Sequence, residues 1–186
     1  VLRVNIAEIE PPIWRMLNVP GECTLGDLHI ILQIAFGWED GHMHSFTIKS
    51  TQYGRIDVMG FDDDDVADED AVRLCDLPLR SRQKFTYLYD FGDSWEHEIT
   101  VSKTTRAGGD EYLPRVRCLE GERAGPPEDS GGAWGYMDAL EILKDPTDEQ
   151  YEETREWLGK FDPEDFNLKK INTRLERIFK SRPKKT

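Results

Sequence analysis

Several features that would assign a protein to a class are scarce in this sequence of 186 residues. The three cysteines (Cys23, Cys75 and Cys118) are far apart and form no Cys-x-x-Cys pair. An odd and sparse set of cysteines indicates reduced thiols, so we expect a cytoplasmic protein. The apolar run Ile30–Leu32 is interrupted at Gln33, and no run approaches the length that spans a bilayer. We therefore expect no membrane association.

The motifs of common enzyme classes are missing as well. The sequence has no Gly-x-Ser-x-Gly elbow, no phosphate-binding P-loop, no dinucleotide fingerprint and no zinc-finger spacing. Asp90-Phe91-Gly92 spells the magnesium motif of protein kinases, but the kinase glycine-rich loop and His-Arg-Asp loop do not accompany it. The acidic segment that starts at Asp62 has Ala67 where a calcium-binding EF-hand needs glycine. These absences leave the reaction, if there is one, unspecified.

Positive charge is also scarce. The net charge is −13 and the isoelectric point is about 4.8, so the surface repels phosphate backbones and general nucleic-acid binding is not expected. The exception is the C-terminal stretch from Lys169 to Thr186, which carries eight basic residues against Glu176 alone. This basic helix and tail would contact nucleic acid, fold onto the acidic body or stay solvated, and the sequence leaves the three alternatives open.

Alternating side chains indicate a sheet at the start of the chain. Apolar residues recur at every second position from Leu2 to Ile6, and Ile13 to Val19 resumes the extended pattern after a proline break. An amphipathic helix is predicted from Thr24 to Gly37, because Thr24 begins a capping-box pattern and glycine stops the helix. The order of elements predicts an α+β fold: a mostly antiparallel sheet, one N-terminal helix packed on it and a helical C-terminal part.

Two long polar segments interrupt this pattern within a single domain of residues 1–186. The first is an acidic loop at about residues 57–76, which its own charge repulsion would keep open. The second runs from Leu119 to Gly135 and is rich in glycine and proline, which predicts a long shaped loop. A helical portion is expected to follow at about residues 134–182.

The densest group of aromatic, acidic and imidazole side chains lies between Lys84 and Lys103. The pattern predicts two strands joined by a two-residue turn at Gly92-Asp93. In that register Trp95 faces Asp90, and His97 lies one diagonal step from Asp90 on the same face. A carboxylate in that place would orient the imidazole as a base or a metal ligand. The alternative is a half-buried histidine in a structural hydrogen bond.

Two further histidines, His42 and His44, fall on a predicted strand from Gly41 to Lys49. Imidazoles two residues apart on a strand point the same way, which suits divalent-metal binding. With His97 and either Asp90 or Asp93 they would complete a mixed nitrogen and oxygen site. The alternative is that they pack and cap the strand end beside Trp38.

Several fragments taken together resemble a known family. They are PPIWR at Pro11–Arg15, AFGW at Ala35–Trp38, HMHSF at His42–Phe46, YDFGDSWEH at Tyr89–His97 and AGPPED at Ala124–Asp129. In this order they are similar to the plasmid pRi ORF-three-like family, which occurs in bacteria and archaea, in part on mobile elements. The resemblance implies a compact α+β fold and no established activity. Resolvase labels on some members imply little here, because the body of this chain is strongly acidic.

Two functions follow as hypotheses. The first is a binding or accessory module with a polar and aromatic cleft near the hairpin turn, lined by Trp38, Asp90, Asp93, Trp95 and His97 together with His42, His44, Glu128 and Asp129. The second is a metal-dependent hydrolase, in which His42, His44, His97 and Asp90 or Asp93 hold a divalent metal and Glu128 or Asp129 is the general base.

Overall fold

A computed structural model describes residues 1–55, 66–106 and 115–179. Eight strands form one sheet in the order β5-β4-β3-β6-β7-β1-β2-β8. The strands are β1 (Leu2–Ile6), β2 (Trp14–Asn18), β3 (His44–Ile48), β4 (Thr51–Gly54), β5 (Val66–Asp68), β6 (Lys84–Tyr89), β7 (Trp95–Val101) and β8 (Arg117–Glu122). All neighbouring pairs are antiparallel except β4 with β5, so the predicted α+β class with a mostly antiparallel sheet is confirmed.

Four α-helices accompany the sheet in the described residues. They are α1 (Leu25–Phe36), α2 (Gly132–Ile142), α3 (Tyr151–Leu158) and α4 (Leu168–Phe179). The start of α1 is fixed by a capping box, in which Thr24 and Asp27 each accept a hydrogen bond from the other's backbone amide, and Gly37 ends the helix in the left-handed region with φ of 90°. No described helix has both the length and the apolar character needed to cross a bilayer.

The core lies where α1 and α4 meet the strands. Leu28, Ile31 and Leu32 of α1 share one buried cluster with Val4, Phe46 and Ile99 of the sheet and with Leu175 of α4. Polar side chains also join α1 to β6, because His29 and Gln33 both bond to the hydroxyl of Tyr87. The candidate functional residues His42 and Asp90 lie at the end of the sheet where β3 begins and β6 ends.

Three predictions of local structure need correction. The predicted acidic loop at 57–76 contains β5 and a 3₁₀ turn at Leu74–Asp76; its part before residue 66 lies outside the described residues. The stretch Leu119–Gly135 is not all loop, since β8 extends to Glu122 and α2 begins at Gly132. Strand β3 begins at His44, so His42 precedes it.

Candidate functional site

The turn between β6 and β7 is longer than predicted. Tyr89 pairs with Trp95 and Tyr87 with His97, so five residues, Asp90 to Ser94, make the connection. Asp90 and Ser94 both adopt φ of 56°. The Asp90 carboxylate accepts hydrogen bonds from the amides of Gly92 (2.9 Å) and Asp93 (3.3 Å).

The predicted register, in which Trp95 faces Asp90, is therefore wrong by one residue. Because side chains alternate across a sheet, this shift moves His97 away from Asp90 and onto the core face.

His97 is a buried core residue. Its ring is surrounded by those of Phe36, Trp38 and Tyr87, with centroids 5.1, 5.2 and 5.2 Å away. Its Nδ1 lies 2.9 Å from the carbonyl oxygen of Trp95, and no described residue forms a hydrogen bond with its Nε2. Burial lowers the pKa of His97 to about 4, which keeps the imidazole neutral near pH 7. Neither of the two groups of potential metal-binding side chains in the described chain includes it.

His42 is the histidine that meets carboxylates at the surface. Its Nδ1 lies 3.4 Å from Asp90 Oδ2, and its Nε2 lies 3.5 Å from Asp129 Oδ1. The Asp90 side chain is 11% exposed and that of Asp129 is 78% exposed, so the imidazole, itself 32% exposed, bridges a buried and a solvated carboxylate. We call His42, Asp90 and Asp129 the His42 cluster. One donor atom from each lies within 4.8 Å of the others, which makes the cluster a potential metal site.

An aromatic and acidic wall supports the His42 cluster. The ring of His42 stands edge-on to Tyr89 at 5.8 Å, and the Tyr89 hydroxyl donates a short hydrogen bond to Glu128. Trp38 stacks on Tyr89 at 4.9 Å and donates its Nε1–H to the carbonyl of Pro126. Burial first and Glu128 second raise the pKa of Tyr89, so its proton stays on the hydroxyl.

The segment before α2 is fastened to the hairpin turn. The Asp93 carboxylate accepts a hydrogen bond of 3.0 Å from the amide of Gly131. Gly132 packs so closely on the Asp93 carbonyl that a Cβ atom there would overlap it. Asp93 therefore positions the loop that carries Asp129, while Trp95 is buried beneath. Two residues into α2, Trp134 is 83% exposed, which the sequence around it does not indicate.

A second polar cluster lies under the first and was missed. The rings of His29 and His44 stack 3.4 Å apart with planes inclined by 3°. His29 Nε2 lies 2.7 Å from Asp40 Oδ1, and His44 Nε2 lies 2.8 Å from Glu69 Oε2. Burial first, and then the neighbouring His44, lower the pKa of His29 to about 4. The sequence offered one signal, a polar pair four residues apart on the predicted helix. These residues, His29 and Gln33, both bond to the Tyr87 hydroxyl.

The predicted set of His42, His44, His97 and Asp90 is thus not one site. His42 and Asp90 lie together and are joined by Asp129, His44 belongs to the buried stack, and His97 stands in the aromatic core. The predicted cleft is also divided. Trp38 and Glu128 line a cavity of about 430 Å³ that reaches the C-terminal helix, whereas Asp90, Asp93, Trp95 and His97 do not line it.

Comparison with known proteins gives relatives without assigned activity. A protein of Sinorhizobium fredii (strain NBRC 101917 / NGR234), described as uncharacterized protein y4hQ, is 37% identical over 161 residues, which is 87% of this chain and 81% of that protein. A crystal structure of a protein of unknown function from Methanosarcina mazei Go1 is similar with a TM-score of 0.77 and 39% identity. The match covers 90% of this chain and 94% of that one.

The family profile agrees with the resemblance found in the motifs. It matches residues 1–170, which includes the histidines, the hairpin turn and the Pro126–Asp129 loop. The chain belongs to the family described as plasmid pRiA4b ORF-3-like protein.

Proposed function

We propose that this chain is a binding module, and that the His42 cluster receives a positively charged group of its ligand. The observation that carries the proposal is the position of His42 between the carboxylates of Asp90 and Asp129 at 3.4 and 3.5 Å. Even when the imidazole is charged, two carboxylates leave the cluster negative. An ammonium or guanidinium group of a ligand would neutralise that excess and donate hydrogen bonds to both carboxylates.

The surroundings support an organic ligand. Met43, next to His42, is 42% exposed, and Trp134 is 83% exposed on the helix that follows Asp129. Exposed large apolar side chains beside a polar group are typical of recognition surfaces, because they supply contact area while the charges set orientation. Tyr89 and Trp38 pack behind the cluster and hold it rigid, so little conformational freedom is lost on binding. The proposal places this module in the cytoplasm, in accord with its sparse and odd set of cysteines.

The test uses agmatine, which carries a guanidinium and an ammonium group, as the probe in isothermal titration calorimetry. We expect saturable binding to the wild-type chain, weakened about five- to tenfold by Asp129→Asn, since one partly screened charge interaction is worth about 1 kcal/mol. Asp138→Asn is the matched control, because Asp138 is an exposed carboxylate on α2 outside the cluster. Equal loss in both variants, or no saturable binding by the wild type, contradicts the proposal.

The second candidate is a metal-dependent hydrolase. It is favoured by the donors of His42, Asp90 and Asp129, which lie within 4.8 Å of one another. Ligand bonds of about 2 Å place two donors at most about 4 Å apart, so small side-chain movements would complete the site. A divalent ion held there would acidify a bound water molecule for attack on a substrate. Glu128 is the general base in this hypothesis, next in sequence to Asp129.

Metal analysis separates the two candidates. The chain is purified without a histidine tag and its zinc, manganese and iron are measured, followed by titration with each ion. The hydrolase hypothesis requires near-stoichiometric metal that Asp129→Asn and His42→Gln remove. Metal below about a tenth of an equivalent with no binding on titration rules the hydrolase out and leaves the binding module.

A further inference from the structure

A second potential ligand site lies away from the His42 cluster. The cavity of about 430 Å³ is bounded by the end of α1, the Ala124–Glu128 segment, and the start of α4 with the turn before it. Its volume falls in the range of small-molecule pockets, which run from about 300 to 1,000 Å³. Ile34, Phe36, Phe161, Phe166 and Ile171 supply its apolar lining. The cavity therefore offers room and an apolar surface to a small ligand.

Arg15 lies in the lining of this cavity as a buried cation without a carboxylate partner. It is 2% exposed, and its guanidinium lies between the rings of Phe36 and Phe166, 4.9 Å from each centroid. Its nitrogens donate to the carbonyls of Ala35, Trp14, Glu122 and Arg123. Among the residues that the structure describes, no carboxylate forms an ion pair with it. Four of its five N–H groups are thereby bonded, but no described carboxylate neutralises its positive charge.

Two more cations face the same cavity. Lys170 and Arg174 are four residues apart on α4, so their side chains lie on one face of the helix. Within the described parts of the chain neither forms an ion pair. This is notable in a chain of net charge −13, where carboxylates are plentiful. Three positive charges that form no ion pair with a described residue thus lie around one cavity, and a single anionic group can bind beside them.

Carboxylates in the lining limit how much negative charge the ligand carries. Glu39, Glu128 and Asp165 also line the cavity, so three carboxylates share the lining with the three cations. These carboxylates would repel a polyanion such as a nucleic-acid backbone or a triphosphate. We propose that the cavity binds an amphiphilic monoanion: a small molecule with one carboxylate or similar group held by Lys170 and Arg174, and an apolar body on the phenylalanine rings. This site is independent of the function proposed for the His42 cluster.

The probe for the test is 8-anilino-1-naphthalenesulfonate, an aromatic monoanion that fluoresces when it is bound in an apolar site. We expect one saturable site on the wild-type chain, and an affinity about tenfold lower or more in the double variant Lys170→Gln/Arg174→Gln, because two charge-assisted contacts are lost. The control is Lys169→Gln/Lys160→Gln, which removes the same net charge from exposed positions outside the cavity. Its affinity should remain within about twofold of the wild type.

Competition completes the test. 2-Naphthoate, a monoanion, should displace the probe, while the cation 2-naphthylmethylamine should not. Circular dichroism and the unfolding midpoint of each variant show that loss of binding is not loss of the fold. The proposal is overturned if the two double variants bind the probe equally, if the cation displaces it as well as the anion does, or if the wild type shows no saturable site.

Discussion

Replacing His97 by glutamine is expected to make the free energy of unfolding depend less on pH below about pH 6.5. The folded chain holds this imidazole neutral, with a pKa of about 4 against 6.5 in the unfolded chain. As the pH falls below 6.5, the His97 imidazole of the unfolded state binds a proton, whereas that of the folded state does not. The unfolded state then binds more protons, so the free energy of unfolding falls with falling pH until the folded pKa is reached.

The size of the effect follows from the shift. Integrated from pH 7 to pH 4, a change from 6.5 to about 4 corresponds to a loss of about 3 kcal/mol, with a slope approaching about 1.4 kcal/mol per pH unit. His29, whose pKa is also lowered to about 4, contributes with the same sign. The wild type should therefore take up about two protons on unfolding near pH 5, and His97→Gln about one.

The assay is urea unfolding followed by tryptophan fluorescence at pH values from 4.5 to 8. Loss of aromatic packing lowers the stability of His97→Gln at every pH, so the slope against pH, and not the offset, is the readout. Thr100→Val on the same strand is the control and should keep the wild-type slope. An unchanged slope in His97→Gln would refute the assignment of His97 as a neutral buried residue.

Two further predictions concern local geometry. Gly125→Ala should lower the free energy of unfolding by about 1–3 kcal/mol, because the new Cβ atom would overlap the Phe36 carbonyl; Gly41→Ala, with open space around it, should change it by less than about 0.5 kcal/mol. Thr24→Ala should cost about 1 kcal/mol by removing the side-chain cap of α1; urea midpoints measure all three, and a neutral Thr24→Ala would contradict the capping role.

The fold class was predictable because it depends on local patterns. The period of two in β1 and the extended pattern of β2 indicated two strands, which the structure pairs antiparallel. Thr24 and Gly37 delimit α1 through hydrogen bonds that close within a few residues. Strand β8 was missed because its glycine at Gly121 accommodates the ring of Phe166, a requirement that arises only from distant packing.

The site was predictable only in part, for the same reason. His42, Asp90 and Asp129 were selected as candidates, but their grouping depends on a turn register set by left-handed residues at Asp90 and Ser94. Neither residue is glycine, so the composition favoured the shorter turn at Gly92. The strand register differs from the predicted one by a single residue. That shift replaces the predicted Asp90–His97 pair by the observed burial of His97.

The buried stack could not be found by spacing alone. His29 and His44 come from a helix and a strand, and their partners Asp40 and Glu69 come from two other segments. No short motif links four such positions. Only the tertiary fold brings them together, beneath the surface where the His42 cluster lies.

The most direct test of the central claim is to follow the histidine ring signals by NMR while agmatine is added. The chain has four histidines, at positions 29, 42, 44 and 97, so each ring can be assigned by substitution. We expect the His42 signals to move saturably, the His97 signals to stay in place, and Asp129→Asn to weaken the response. Saturable binding that leaves the His42 signals unmoved, or that moves those of His97 instead, would contradict it.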